Sequence, residues 1–92
     1  MSNKLIFRKH ALQRMFQRSI STSDVAAVLT EGKCIIAYPD DIPYPSRLML
    51  GWRGECPLHI VAADTPESET IVITVYEPDP ALWEPGFERK KP

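Results

Sequence analysis

Three basic side chains recur at four-residue intervals near the start of the chain: His10, Arg14 and Arg18. On a helix this spacing places them on one face. Residues 4–18 contain no acidic residue, so no nearby carboxylate neutralises them. Three interpretations stay open: a solvated helix face, internal ion pairs, or a site for phosphate or an acidic partner protein, since guanidinium groups bind phosphate oxygens bidentately. The acids available for internal ion pairs are Asp40, Asp41 and Glu77.

A histidine and a tyrosine in two later apolar segments form a second candidate set. His59 stands in PLHIV and Tyr76 in ITVYE. Strand alternation predicts that both lie on a less covered sheet face, where Arg47 could join them. RNA cleavage requires deprotonation of a 2′-hydroxyl, stabilisation of the phosphorane charge and protonation of the 5′-oxygen. Imidazole, guanidinium and phenol groups can perform these steps without a metal, although a single strand histidine is more often structural.

Other chemistries find little support in the sequence. The two cysteines and two histidines lack the local spacing of a zinc site, and there is no glycine-rich phosphate loop or nucleophile elbow. We therefore expect no metal and no cofactor. Cys34 lies in the apolar run CIIAY and is expected to be a small buried side chain.

The apolar pattern predicts two helices near the N-terminus. The first covers about residues 9–18, and the second covers 22–31, with Ser21 as its N-cap and Asp24 completing a capping box. Gly32 is expected to end the second helix in a left-handed conformation. In the first helix, four apolar residues fall on one side: Ala11, Leu12, Met15 and Phe16.

The remaining chain predicts a sheet of about four antiparallel strands, because β-prone segments alternate with short turns. Residues 4–8 fit either a short strand or an irregular lead-in. A proline-rich tail begins at about residue 77, and Trp83 and Phe87 are the residues that could pack it back. The predicted strands are 33–38, 47–52, 57–64 and 71–76, and Ile71, Ile73 and Val75 are expected to face the core.

Size and composition favour one small folded domain spanning residues 1–92. Of the 92 residues, 43% are hydrophobic and 25% are charged, values typical of globular proteins. The net charge of -1 gives no overall affinity for nucleic acid, so any such affinity must be local. No apolar run approaches the ~20 residues of a membrane span, and no signal-peptide pattern is present. We therefore expect a cytoplasmic protein with no membrane partner.

Several segments together resemble a known family. The succession HALQRMFQRSIS, DVAAVLTEG, PLHIV and ITVYEPDPALW resembles a small bacterial domain-of-unknown-function family grouped with BrnT and RelE-like toxins. The resemblance implies an α+β fold with two helices on an antiparallel sheet. It also implies a type II toxin that cleaves mRNA without metal, commonly on the ribosome. Such toxins are silenced by a cognate antitoxin, which in similar systems often has a zinc-binding N-terminal part.

The resemblance also implies roles for individual residues. The helix motif of the family falls on His10, Arg14 and Arg18, its P-L-H strand on His59, and its T-V-Y-E strand on Tyr76. We therefore expect a toxin-like endoribonuclease; the alternative is a non-catalytic interaction domain whose arginine-rich helix face binds an acidic partner protein. The expected catalytic residues are His59, His10 and Tyr76, and the expected substrate-binding residues are Arg14, Arg18 and Arg47.

Overall fold

The computed structural model describes residues 3–92, which form two helices and a five-stranded sheet. The sheet order is β1-β5-β4-β3-β2, with β1 parallel to β5 and every other pair antiparallel. The predicted α+β class with two helices is confirmed, but the sheet is mixed and has five strands rather than about four. The elements are β1 (Lys4–Phe7), α1 (Lys9–Gln17), α2 (Thr22–Glu31), β2 (Lys33–Tyr38), β3 (Ser46–Arg53), β4 (Cys56–Asp64) and β5 (Glu69–Tyr76).

Helix α2 begins with the predicted capping box. The Ser21 hydroxyl accepts a hydrogen bond from the Asp24 backbone N–H at 3.0 Å, and the Asp24 carboxylate accepts one from the Ser21 N–H at 2.9 Å. That backbone donor is the main reason why the pKa of Asp24 lies below its ordinary value. Two otherwise unpaired N–H groups are thereby satisfied, so the start of α2 is fixed by local sequence alone.

Both helices lie on one face of the sheet and cover the core. Helix α1 packs on β5, and α2 packs on β3 and β4. Only half of the predicted apolar side of α1 is buried, because Leu12 is exposed and Phe16 is 89% exposed. The apolar side of α1 is therefore wider than the surface it packs against. The core cluster comprises Ala11, Met15, Ile20, Val25, Val28, Met49, Leu58, Ile60, Ala62, Val72 and Val75.

A β-bulge changes which residues of β5 face that core. Val61 pairs with Thr74, whereas the next residue, Ala62, pairs with Val72, so Ile73 is the extra residue of the bulge. Val72 and Val75 are consequently fully buried beneath the helices. The prediction that Ile71, Ile73 and Val75 form the core face was right only for Val75, since it assumed unbroken alternation.

The proline-rich tail packs on the opposite face of the sheet. Trp83 is buried and meets the ring of His59 edge-on, with ring centroids 4.5 Å apart. Phe87 makes an edge contact with Trp52 at 6.0 Å, and Glu88 forms an ion pair with Lys33 at 2.8 Å. The prediction that Trp83 and Phe87 pack the tail back is confirmed. No helix formed by residues 3–92 is long and apolar enough to cross a membrane.

Candidate functional site

The basic face of α1, defined as His10, Arg14 and Arg18, is exposed to solvent. Arg18 lies 3.5 Å from the carboxylate of Glu77, an exposed contact that contributes little to stability. None of the ion pairs found within residues 3–92 involves Arg14. Internal pairing therefore accounts for Arg18 alone. Asp40 and Asp41, the other proposed partners, form no ion pair with this face.

His59 and Tyr76 stand side by side, as their shared sheet face predicts. They pair across β4 and β5, and the Tyr76 hydroxyl lies 3.1 Å from Nδ1 of His59. Nε2 lies 2.8 Å from the backbone oxygen of Phe87. A carbonyl oxygen only accepts, so Nε2 carries the proton and donates to Phe87, and Nδ1 accepts from Tyr76. The expectation that this face is less covered was wrong, because His59 is fully buried beneath the tail.

Burial sets the protonation of this pair. It lowers the pKa of the His59 imidazole, while the hydrogen bond to the Phe87 carbonyl partly opposes that shift. Burial also raises the pKa of the Tyr76 phenol, with a smaller electrostatic contribution from the neighbouring Tyr38. Both side chains are therefore neutral near pH 7, and both imidazole nitrogens are occupied. This arrangement is that of a structural histidine that fastens the tail.

We expect the neutral His59 to make stability depend on pH. Its pKa in the folded state lies below the ordinary value of 6.5, so the unfolded chain binds more protons once the pH falls below about 6.5. The stabilising contribution is complete above that pH and is lost as the pH falls, with a slope of at most about 1.4 kcal/mol per pH unit, the limit for one proton. Urea unfolding between about pH 5 and pH 8 measures this slope.

Two glutamine variants control the pH measurement. His59→Gln removes the buried imidazole and should flatten the slope, whereas His10→Gln removes the exposed histidine and should leave it intact. A slope that persists in His59→Gln would assign the pH dependence to other groups.

Arg47 does not join His59 and Tyr76, so that expectation was wrong. In the β3–β4 register, Arg47 pairs with Ala62, whereas His59 pairs with Leu50. Ala62 lies in the core beneath the helices, and paired residues share a sheet face. Arg47 is therefore on the helix side of the sheet. The prediction failed because His59 and Arg47 were placed on one face without knowledge of the strand register.

Arg47 belongs instead to a polar network at the end of the sheet. Its guanidinium group donates to Asp64 at 2.9 Å, Thr70 donates to the other carboxylate oxygen at 2.7 Å, and Asn3 donates to Thr70 at 3.1 Å. The network borders a cavity of about 540 Å³ that Leu5 and Leu29 also line. The sequence interpretation missed Asp64 and Thr70, although the short loop between β4 and β5 brings them together. Because these polar groups form hydrogen bonds with one another, the network accounts for the position of Arg47 without a bound ligand.

These features define the class of protein: a small α+β domain with an exposed basic helix and a buried histidine–tyrosine pair. Among residues 3–92, no group of three or more His, Cys, Asp or Glu side chains could hold a metal ion.

The chain belongs to the family described as Domain of unknown function (DUF4258), whose model matches residues 7–77. That span includes every candidate site residue, while the tail from residue 78 lies beyond it. No curated protein and no solved structure matches the chain.

Proposed function

We propose that this domain is the toxin-type member of a type II toxin–antitoxin pair and that it binds RNA through the basic face of α1. The observation that carries the proposal is the exposed Arg14, which has no ion-pair partner within residues 3–92, beside the exposed His10. A guanidinium group without an internal counter-ion is free to bind phosphate. The sequence resemblance to BrnT and RelE-like toxins supports the same function.

The proposed chemistry uses accessible groups only. Arg14 and Arg18 hold the scissile phosphate, and exchange of Glu77 for phosphate frees Arg18 at small energetic cost because their contact is exposed. His10 lies one helical turn before Arg14 and serves in proton transfer. A proton-transfer group must come within about 2.6–3.2 Å of the atom it serves. Since His59 is fully buried, His59 and Tyr76 support the sheet and the tail and do not contact RNA.

The proposed partners follow from the same face. The cognate antitoxin, with or without a zinc-binding N-terminal part, would cover α1 with acidic side chains and exclude mRNA or the ribosome. The net charge of the chain is -1, so long-range attraction to a polyanion is weak and binding depends on the local cations of α1. Activity on mRNA would place the protein in the cytoplasm.

A non-catalytic interaction domain is the second candidate function. Two exposed apolar side chains, Leu12 and Phe16, follow each other at four-residue spacing on α1. Exposed apolar residues beside cations suit an amphipathic acidic segment of a partner protein. In this candidate, α1 binds the partner and no RNA is cleaved.

Expression of matched variants separates the two functions. We expect the wild type to arrest growth and produce cut transcripts, and His10→Ala/Arg14→Ala to reduce RNA cleavage by about 100-fold, a size typical of losing a group that stabilises the transition state. Arg89→Ala is the control, because Arg89 is exposed in the tail and should leave cleavage unchanged. Circular dichroism confirms that each variant is folded.

Two outcomes oppose the proposal, the first against the α1 site and the second against RNA cleavage itself. Undiminished cleavage by His10→Ala/Arg14→Ala would show that α1 is not part of the active site. Intact transcripts in every strain, combined with loss of antitoxin binding in Arg14→Glu, would establish the interaction domain instead.

A further inference from the structure

Strand β2 forms an edge of the sheet that carries little charge. It is the outermost strand and pairs only with β3. Five of its six residues are exposed, and its single charged residue, Lys33, is bound to Glu88. Charged residues, prolines or covering segments usually prevent sheet edges from pairing with other chains. The run from Cys34 to Tyr38 contains no charged residue and no proline, so a bulge at Ile35 is its one protective feature.

The opposite edge is different. Strand β1 has only four residues, begins with Lys4, and is followed directly by Arg8 and Lys9. Its brevity and flanking positive charge are the usual protection against pairing. The two edges of the same sheet therefore differ in their capacity to accept another strand.

Both faces of β2 present apolar side chains. Cys34 pairs with Met49, whereas Ile36 pairs with Leu48, so the bulge at Ile35 places Cys34 and Ile36 on opposite faces. Helix α2 packs on β3 and β4, which leaves the helix side of β2 exposed. Since the free backbone groups of an edge pair with an extended chain, the occupant must be a strand with apolar side chains on both faces.

A second copy of the chain carries features that match this edge. In an antiparallel pair of identical strands, the segment after each β2 lies beside the beginning of the other. A concavity of about 330 Å³ lies there, lined in part by Gly32, Lys33, Leu50 and Trp52. Ile42, 90% exposed, follows β2 after a turn closed by the Asp41 N–H and the Tyr38 carbonyl. Ile42 is therefore an exposed aliphatic side chain in the segment that antiparallel pairing brings beside the concavity of the partner.

We propose that two copies of this chain associate through antiparallel pairing of their β2 strands around a two-fold axis, which joins two five-stranded sheets into one. The contact is self-complementary, as two-fold symmetry requires. The strand is short and interrupted by a bulge, so the dimer is weak, with a dissociation constant on the order of 10 µM. The dimer depends on neither RNA cleavage nor antitoxin binding.

The two free cysteines provide the first test. Cys34 lies on β2, whereas Cys56 begins β4; both are exposed. Treatment with a short bis-maleimide should yield covalent dimer from Cys56→Ser, which retains Cys34, in amounts that rise with protein concentration. Cys34→Ser, which retains Cys56, should yield almost none. Equal yields from the two variants would overturn the proposal.

Sedimentation equilibrium provides the second test with a matched pair of lysine variants. Ile36 on β2 and Ile6 on β1 are 37% and 36% exposed, so Ile36→Lys and Ile6→Lys make the same change at the two edges. Ile36→Lys should weaken association at least about 10-fold, because two lysines approach each other across the axis. Ile6→Lys should associate like the wild type. A wild type that stays monomeric up to about 1 mM, far above the dissociation constant expected for such an edge, or equal weakening by both variants, would overturn the proposal.

Discussion

Replacement of His59 by alanine is expected to lower the free energy of unfolding by about 3 kcal/mol. The imidazole is fully buried and packs edge-on against Trp83. Its loss leaves a cavity and removes the hydrogen-bond partners of the Phe87 carbonyl and the Tyr76 hydroxyl. Two partly buried polar groups without partners add to the cost of lost packing. Urea unfolding near pH 7, monitored by tryptophan fluorescence and circular dichroism, measures the change.

Two further variants show whether the loss of stability depends on the buried position of His59 or on the removal of any histidine. His10→Ala removes an exposed histidine and should change the free energy of unfolding by less than about 0.5 kcal/mol. His59→Gln should recover part of the loss, because a side-chain amide can donate to the Phe87 carbonyl. Equal stability of His59→Ala and His10→Ala would show that His59 does not hold the tail.

The His59 variants also bear on catalysis. A ribonuclease that uses His59 as an acid or base should lose its activity in a folded His59→Gln protein, since an amide cannot transfer protons in that role. The proposed α1 site predicts that the folded variant keeps its activity. Stability and cleavage measured on the same protein therefore separate a structural histidine from a catalytic one.

Local sequence signals predicted the elements that depend on local interactions. Helix α1 follows from its apolar period, and α2 (Thr22–Glu31) has the predicted bounds because the Ser21–Asp24 capping box involves only neighbouring residues. Strand β1 could not be settled in this way, because its partner is β5, more than sixty residues later. Parallel pairing over such a distance leaves no local pattern in the sequence.

The candidate site was predictable only in part. Alternation brought His59 and Tyr76 to one face, which the β4–β5 pairing confirms. The burial of His59 by the tail was not predictable. The tail contacts His59 through the backbone oxygen of Phe87, and because every residue has such an oxygen, the sequence does not mark which one binds. Cys34 was expected to be buried but is exposed, since an apolar run fits an edge strand as well as a central one.

The sequence correctly predicts that Gly32 ends α2, but the physical reason for glycine there differs from the predicted one. The sequence predicts a left-handed residue after α2, yet Gly32 has φ -76° and ψ -178°, which any residue can adopt. Glycine is required at this position because there is no space for a side chain. A Cβ at Gly32 would collide with the carbonyl oxygen of Val28 and lie 2.6 Å from that of Leu50. Backbone atoms of α2 and β3 cannot move aside as a flexible side chain can. Glycine therefore allows the end of α2 to approach the sheet.

Gly32→Ala is consequently expected to lower the free energy of unfolding by about 3 kcal/mol, a cost typical of overpacking against a rigid backbone. Gly54 is the matched control, because it has a positive φ of 62° but open space around its Cβ position. Gly54→Ala should cost only about 1 kcal/mol, the strain of a left-handed alanine. Urea unfolding of both variants compares the two causes directly. A larger loss in Gly54→Ala than in Gly32→Ala would mean that backbone conformation, rather than the contact between α2 and β3, governs the glycines of this fold.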